Sequence, residues 1–215
     1  MGEIRVKAMT ENAAAGSARK AAPSRTKPPE VRLDELMGAA QALFLEKGVE
    51  ATTISEITEA AGVAKGTFYV YFPSKQEMLA ALGQRYAREF VEQLERAVEA
   101  CAEDDWVGRL RAWILANVAT YLRTYRVHDI VFTHPHHHAR EGHTENLVVR
   151  QLQGILGAGA AAGAWRVDNP RMMALLIYAG VHCATDDAIL SKLPDATEFA
   201  RGVADAYLRM LGVAA

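Results

Sequence analysis

Residues 53–75 read TISEITEAAGVAKGTFYVYFPSK. Thr53 followed by Glu56 is a capping-box pattern, in which a hydroxyl and a carboxylate satisfy free amides at a helix start. Ile54, Ile57, Ala60 and Ala61 then recur at helical spacing, and Gly62 forces a turn. A further short helix begins near Lys65 and ends before Pro73, because proline cannot continue a helix. Two short helices around a glycine turn have the geometry of a helix-turn-helix, which lays its second helix in the major groove of DNA.

Outward from this stretch the text is helical almost everywhere from residue 31, with apolar residues recurring at three and four and no strand-like alternation. A first helix is expected from about Arg32 to Lys47, with Leu36, Ala40, Leu43 and Phe44 on one stripe and Gly48 past its end. A fourth opens on the box of Ser74 and Glu77 and continues to about Cys101, interrupted in composition only by Gly83. Asp104 or Asp105 caps a fifth reaching toward Tyr125, and a short sixth ends near Pro135. A seventh spans Thr144 to about Gly163, rich in Gly and Ala that permit close approach. Asn169 and Pro170 start an eighth through Leu190; Asp195 and Glu198 start a ninth through Leu211. The expectation is an all-α protein of about nine helices: a basic arm over 1–30, a helix-turn-helix domain over 31–76 and an effector-binding and dimerisation domain over 77–215.

The net charge is −2, so attraction for phosphate has to be arranged locally rather than globally. Arg5, Lys7, Arg19, Lys20, Arg25 and Lys27 face only Glu3, Glu11 and Glu30 in the opening segment, which reads as a disordered basic arm, solvating or touching DNA. Cys101 and Cys183 lie far apart without CxxC spacing, which fits reduced core thiols in a cytoplasmic protein. No apolar stretch is expected to reach the roughly 20 residues of a membrane span. Ser, His and acidic residues are present without a recognisable catalytic spacing such as GxSxG, so an enzyme is not expected and no cofactor is called for.

Three passages together carry a family resemblance: Phe44 to Gly48 (FLEKG), Ala51 to Glu56 (ATTISE) and Lys65 to Lys75 (KGTFYVYFPSK). Through residues 31–82 the chain resembles the tetracycline-repressor (TetR) family; beyond them only length and helical layout match. The resemblance implies a homodimeric DNA-binding transcriptional regulator, a repressor released from palindromic double-stranded operator DNA by a small organic effector. An activator of the same fold stays open. At the matching positions Lys65 donates to guanine or phosphate, Thr67 meets a base edge, and Gly66 lets the backbone come close. Tyr69 and Tyr71 offer phenol groups to phosphates, and Thr53 and Lys75 hold phosphates at helix starts. Two positions depart from the common pattern: Ala64 forgoes a side-chain cap, at about 1 kcal/mol, and Val70 stands where a polar residue is frequent and can instead touch a thymine methyl.

Two-fold operators need two readers roughly 34 to 36 Å apart, hence a homodimer. Met172, Leu175, Leu176, Ala179, Val203, Tyr207, Leu208 and Leu211 supply apolar stripes on the last two helices for a four-helix interface. The resemblance places the effector cavity among helices four to eight, with Trp113, Tyr121, Tyr125, Phe132, His138, Trp165, Tyr178 and His182 as candidate lining, each equally plausible as core. His134, His138, His182 and Asp186 are weak candidates for a metal site in a metal-responsive regulator of the same fold; solvated loop and effector contacts are the competing readings.

Overall fold

The computed structural model describes residues 28–132, 146–192 and 195–213, and these form α1 (Pro29–Lys47), α2 (Ile54–Ala60), α3 (Lys65–Tyr71), α4 (Lys75–Glu99), α5 (Trp106–Phe132), α6 (Leu147–Ala161), α7 (Pro170–Ser191) and α8 (Ala196–Met210). There is no strand among the described residues. The basic arm, His134, His138 and the rest of the histidine-rich loop lie outside them.

Local chemistry sets most boundaries. Thr53 Oγ1 accepts from Glu56 N at 3.3 Å while Glu56 Oε2 accepts from Thr53 N at 2.8 Å, completing the capping box of α2. Asn169 caps α7 ahead of Pro170, and Asp195 Oδ1 accepts from Thr197 N and Glu198 N at the start of α8. Gly62, at φ +65, ends α2: its N–H reaches Glu59 O at 3.0 Å and that of Val63 reaches Thr58 O at 2.9 Å, a Schellman closure whose left-handed residue has to be near-glycine.

Eight helices stand among the described residues where about nine were expected, because the fifth and sixth are one. No Gly or Pro occurs between Arg109 and Phe132, so nothing breaks the helix near Tyr125, and α5 runs unbroken for 27 residues, about 40 Å. The first helix begins a turn early, at Pro29, where proline's fixed φ and missing N–H suit a first helical turn.

Two hydrophobic cores result. The first gathers Leu36, Phe44, Ile57, Phe68, Phe72 and Leu79 around α1 to α3, and draws in Leu82 of α4 and Val131 of α5, beyond residue 76. The second gathers Leu94, Leu110, Trp113, Leu152, Ile177 and Leu208. α4 and α5 contribute to both, and Tyr86 packs against each. Arg126 Nη2 donates to Leu45 O at 3.2 Å and Arg85 Nη2 to Gln41 Oε1 at 3.3 Å, tying both helices to α1.

By length and composition α7 could cross a membrane, with 22 residues and a mean hydropathy of 1.3 over its apolar window, so the expectation that no stretch reaches that length is corrected. Core helices of globular proteins pass the same test. Here α7 packs on α6 and α5 and carries His182, Asp186 and Asp187, but its other face is uncovered: Met172, Leu175, Leu176 and Leu190 are exposed. Cys183, expected in the core, is exposed on that face, and both cysteines are free.

Candidate DNA-binding surface and effector cavity

The α3 helix has one face in the core and one in solvent. Phe68 is fully buried, with Phe72 at 5.8 Å between ring centroids and Tyr69 edge-on at 5.4 Å. That anchor turns Tyr69 and Val70 outward, 52% and 79% exposed, beside exposed Lys65 and Gly66 and half-buried Thr67. An added Cβ at Gly66 would meet nothing within 4 Å, so its surface is clear for close approach. Ala64 caps the helix with extended backbone and no side-chain bond, as its methyl dictates.

Two residues assigned to phosphate are held inward instead. Lys75 Nζ donates to Val49 O at 2.6 Å, Thr52 O at 2.9 Å and Glu50 O at 3.4 Å, so its ammonium fastens the α1–α2 loop. Tyr71 donates to Pro29 O at 3.0 Å and secures the start of α1. Thr53 is occupied as the α2 cap, which leaves Lys65, Gly66, Thr67, Tyr69 and Val70 as the outward group.

The capping carboxylate is also paired with Lys47. That bond first, then those from the Thr53 backbone and hydroxyl, hold the Glu56 carboxyl at about 2, below its ordinary 4.5. A lowered folded-state value stabilises above the unfolded value and the contribution is lost as pH falls through the folded one. The melting temperature of the wild type is therefore expected to fall more between pH 4.5 and 2 than that of Glu56→Gln, which keeps the box without the charge; parallel curves would show that the ionised carboxylate adds nothing to stability.

Between α4, α5, the start of α6 and α7 lies a cavity of about 660 Å³. Tyr121, Phe132, Tyr178 and His182 line it, as expected. Trp113 and Trp165 do not: both are core, Trp113 Nε1 donating to Gln151 Oε1 and Trp165 Nε1 to Leu156 O, each at 2.9 Å. Gly159 sits directly against the Trp165 ring, where any Cβ would collide with it. Tyr125 packs at the edge of the second core rather than on the cavity. Unforeseen lining residues are Tyr86, Phe90, Asn117 and His128. Asn117, Tyr121 and His128 stand at i, i+4 and i+11, one face of α5, a spacing visible in the sequence once α5 is a single helix.

The cavity's polar wall is a connected cluster. Tyr121 donates to Asp186 Oδ1 at 2.8 Å, with His182 Nε2 at 3.4 Å from its oxygen, and Tyr86 bonds Thr124 Oγ1 at 3.0 Å. Burial pushes Tyr86 up to about 12 and drives Tyr121 higher still, so both remain phenols. Burial pushes the His128 imidazole below its ordinary value, against the pull of its bond to Asp129. His182 and Asp186 stand 3.7 Å apart, but no group of three His, Cys, Asp or Glu side chains able to hold a metal occurs among the described residues.

Of the expected dimer residues, Met172, Leu175, Leu176 and Ala179 are exposed on α7. Leu208 and Leu211 instead fill the chain's own core, because α8 turns its apolar stripe onto α5 and fixes it with the Arg111–Asp205 pair. Tyr207 and Val203 are half-buried against the same core, and Tyr207 reaches Gly180, where a Cβ would meet its hydroxyl.

A seven-residue helix bearing an outward polar and aromatic face, set across a Schellman turn from a capped partner, defines a helix-turn-helix DNA-binding module in an all-α protein. The profile of the bacterial regulatory proteins of the tetR family matches residues 36–82, so this segment is similar to the DNA-binding part of that family. It is 38% identical over 58 residues to the transcriptional repressor KstR2 of Mycolicibacterium smegmatis, covering 27% of this chain and 28% of that one. The chain spans about a quarter to half the length of the curated relatives it matches. A protein with unknown function from Rhodococcus sp. RHA1 superposes with a TM-score of 0.74 at 21% identity, over 88% of this chain and 98% of that one. The transcriptional regulator FadR of Bacillus subtilis, solved with stearoyl-CoA, gives 0.64 at 21% identity, over 84% and 99%. At these identities the structures speak for the fold.

Proposed function

We propose that the chain is a homodimeric transcriptional repressor whose α3 reads operator DNA and whose cavity takes a small organic effector that releases it. The observation that carries this reading is the outward face of α3, where Tyr69 and Val70 stand in solvent while Phe68 is fully buried behind them. The uncovered apolar face of α7 supplies a surface for a second copy, and the two-fold places two recognition helices on one duplex. FadR, which shares the fold, was solved with stearoyl-CoA, and this supports a ligand-binding role for the present chain. The effector shifts the balance between two dimer arrangements. α4 carries the change, since it lines the cavity and reaches the first core through Leu79 and Leu82.

An anisotropy titration on DNA from upstream of the chain's own gene, with competitor DNA and a salt series, tests this. Saturable binding of two chains per duplex is expected, weakening on the order of 10³-fold from about 50 to 200 mM salt if about six phosphates are neutralised. Sequence-blind binding overturns the reading.

A further inference from the structure

Proline fixes how the chain enters α1. Pro28 stands ahead of Pro29 with φ −53 and ψ 148, the extended conformation to which a residue before proline is driven, so the backbone meets the helix from outside its axis. Where it meets the helix is set by α3. The Tyr71 phenol donates to Pro29 O at 3.0 Å, across 42 residues of sequence. The last residue of α3 thus holds the first residue of α1, and Tyr71 follows directly on the outward pair Tyr69 and Val70.

The sequence that enters at this point is basic. Positions 12–29 contain Arg19, Lys20, Arg25 and Lys27 and no acidic residue. A chain spans at most about 3.6 Å per residue, which keeps the Cα atoms of Lys27 and Arg25 within about 7 and 14 Å of that of Pro29, and those of Lys20 and Arg19 within about 36 Å. Four cations are therefore tethered beside the recognition helix. α3 itself carries one charged residue, Lys65, while the ammonium of Lys75 is taken up by carbonyls of the α1–α2 loop. Exposed Glu30 and Asp34 on the first turns of α1 compete for the tethered cations, but exposed ion pairs add little. Duplex DNA presents one charge per about 1.7 Å of axis and releases counterions as its phosphates are met. The denser polyanion prevails.

Building on the reading that α3 lies on operator DNA, we infer that the basic segment 19–27 is a second DNA-binding element, which neutralises backbone phosphates beside the recognition helix, and that Tyr71 is the positioning residue that roots it there. Its contacts are to phosphate, so it adds affinity without reading sequence.

The test is a salt series of anisotropy titrations with the full chain, wild type against the variant in which Arg19, Lys20, Arg25 and Lys27 are all replaced by Gln. If each copy's segment meets two phosphates, four are lost per duplex, and the slope of log K against log salt should become shallower by about 3 to 4. Between about 200 and 50 mM salt the wild type should then gain about 100-fold more affinity than the variant. The melting temperature should be unchanged. Tyr71→Phe, which keeps the ring and loses the bond to Pro29, should weaken wild-type binding about threefold and leave the Gln variant's binding as it was. A purely structural tyrosine would cost the same in both backgrounds, and that result overturns its positioning role. Equal salt slopes overturn the segment's role, as does tighter DNA binding by the Gln variant, the mark of a segment held by the domain's own acids. On a scrambled duplex the same slope difference is expected. Loss of operator specificity would therefore remove the regulator and leave the segment's contribution as measured, whereas equal slopes on a specifically bound operator remove the segment alone.

Discussion

The double variant Lys65→Ala, Tyr69→Ala should bind operator DNA about 100-fold more weakly than wild type, given about 1 to 3 kcal/mol for a base-reading side chain and less for a phosphate contact. The melting temperature should barely move. Both side chains are exposed, so what is lost from the fold is the edge-on contact of Tyr69 with Phe68 and little else. The two positions are one turn apart and share a DNA segment, so their effects need not add, and the single variants should be measured beside the double. Lys75→Ala is the informative contrast. Its ammonium serves three carbonyls of the α1–α2 loop, so removing it should lower the melting temperature, with any loss of DNA affinity following from a loosened loop. If Lys65 and Tyr69 can be removed without cost to binding while Lys75 cannot, the reading surface is elsewhere on the domain.

How far the sequence foretold this arrangement depends on the range of each interaction. The caps at Thr53, Asn169 and Asp195 were legible because a cap is settled within three residues. The Schellman turn at Gly62 was legible for the same reason. The inward turn of Lys75 was not: its partners lie 23 to 26 residues away, and a lysine at a helix start reads equally well as a phosphate ligand. Trp113 and Trp165 failed as cavity candidates because an aromatic's burial says nothing about whether it borders empty space; the close seat of Trp165 on Gly159 appears only when α6 folds back. Asn117 was not singled out, since taken alone it is one polar residue in an apolar helix. Its meaning came from α5 being continuous, which places it on the face of Tyr121 and His128. Leu208 and Leu211 show the converse ambiguity, since an amphipathic stripe specifies that a face is covered but not by which chain.

That ambiguity is what a charge on α7 resolves. Leu176 is 58% exposed, so Leu176→Glu leaves the chain's own packing nearly unchanged, and exposed substitutions of this kind ordinarily shift stability by less than about 0.5 kcal/mol. Across a two-fold interface the same change acts twice, because an isologous contact repeats every substitution on both sides. Two carboxylates would then be buried among Met172, Leu175 and Ala179 of each copy without a partner. Unpaired buried charges cost several kcal/mol, so the dimer dissociation constant should rise on the order of a thousandfold or more. Sedimentation should show monomer at concentrations where the wild type is dimeric, and operator affinity should collapse with it, since one copy reaches only one half-site. A monomeric variant that still melts cooperatively separates loss of assembly from loss of fold. An unchanged dimer mass would move the interface off α7 and leave its exposed apolar face to another partner.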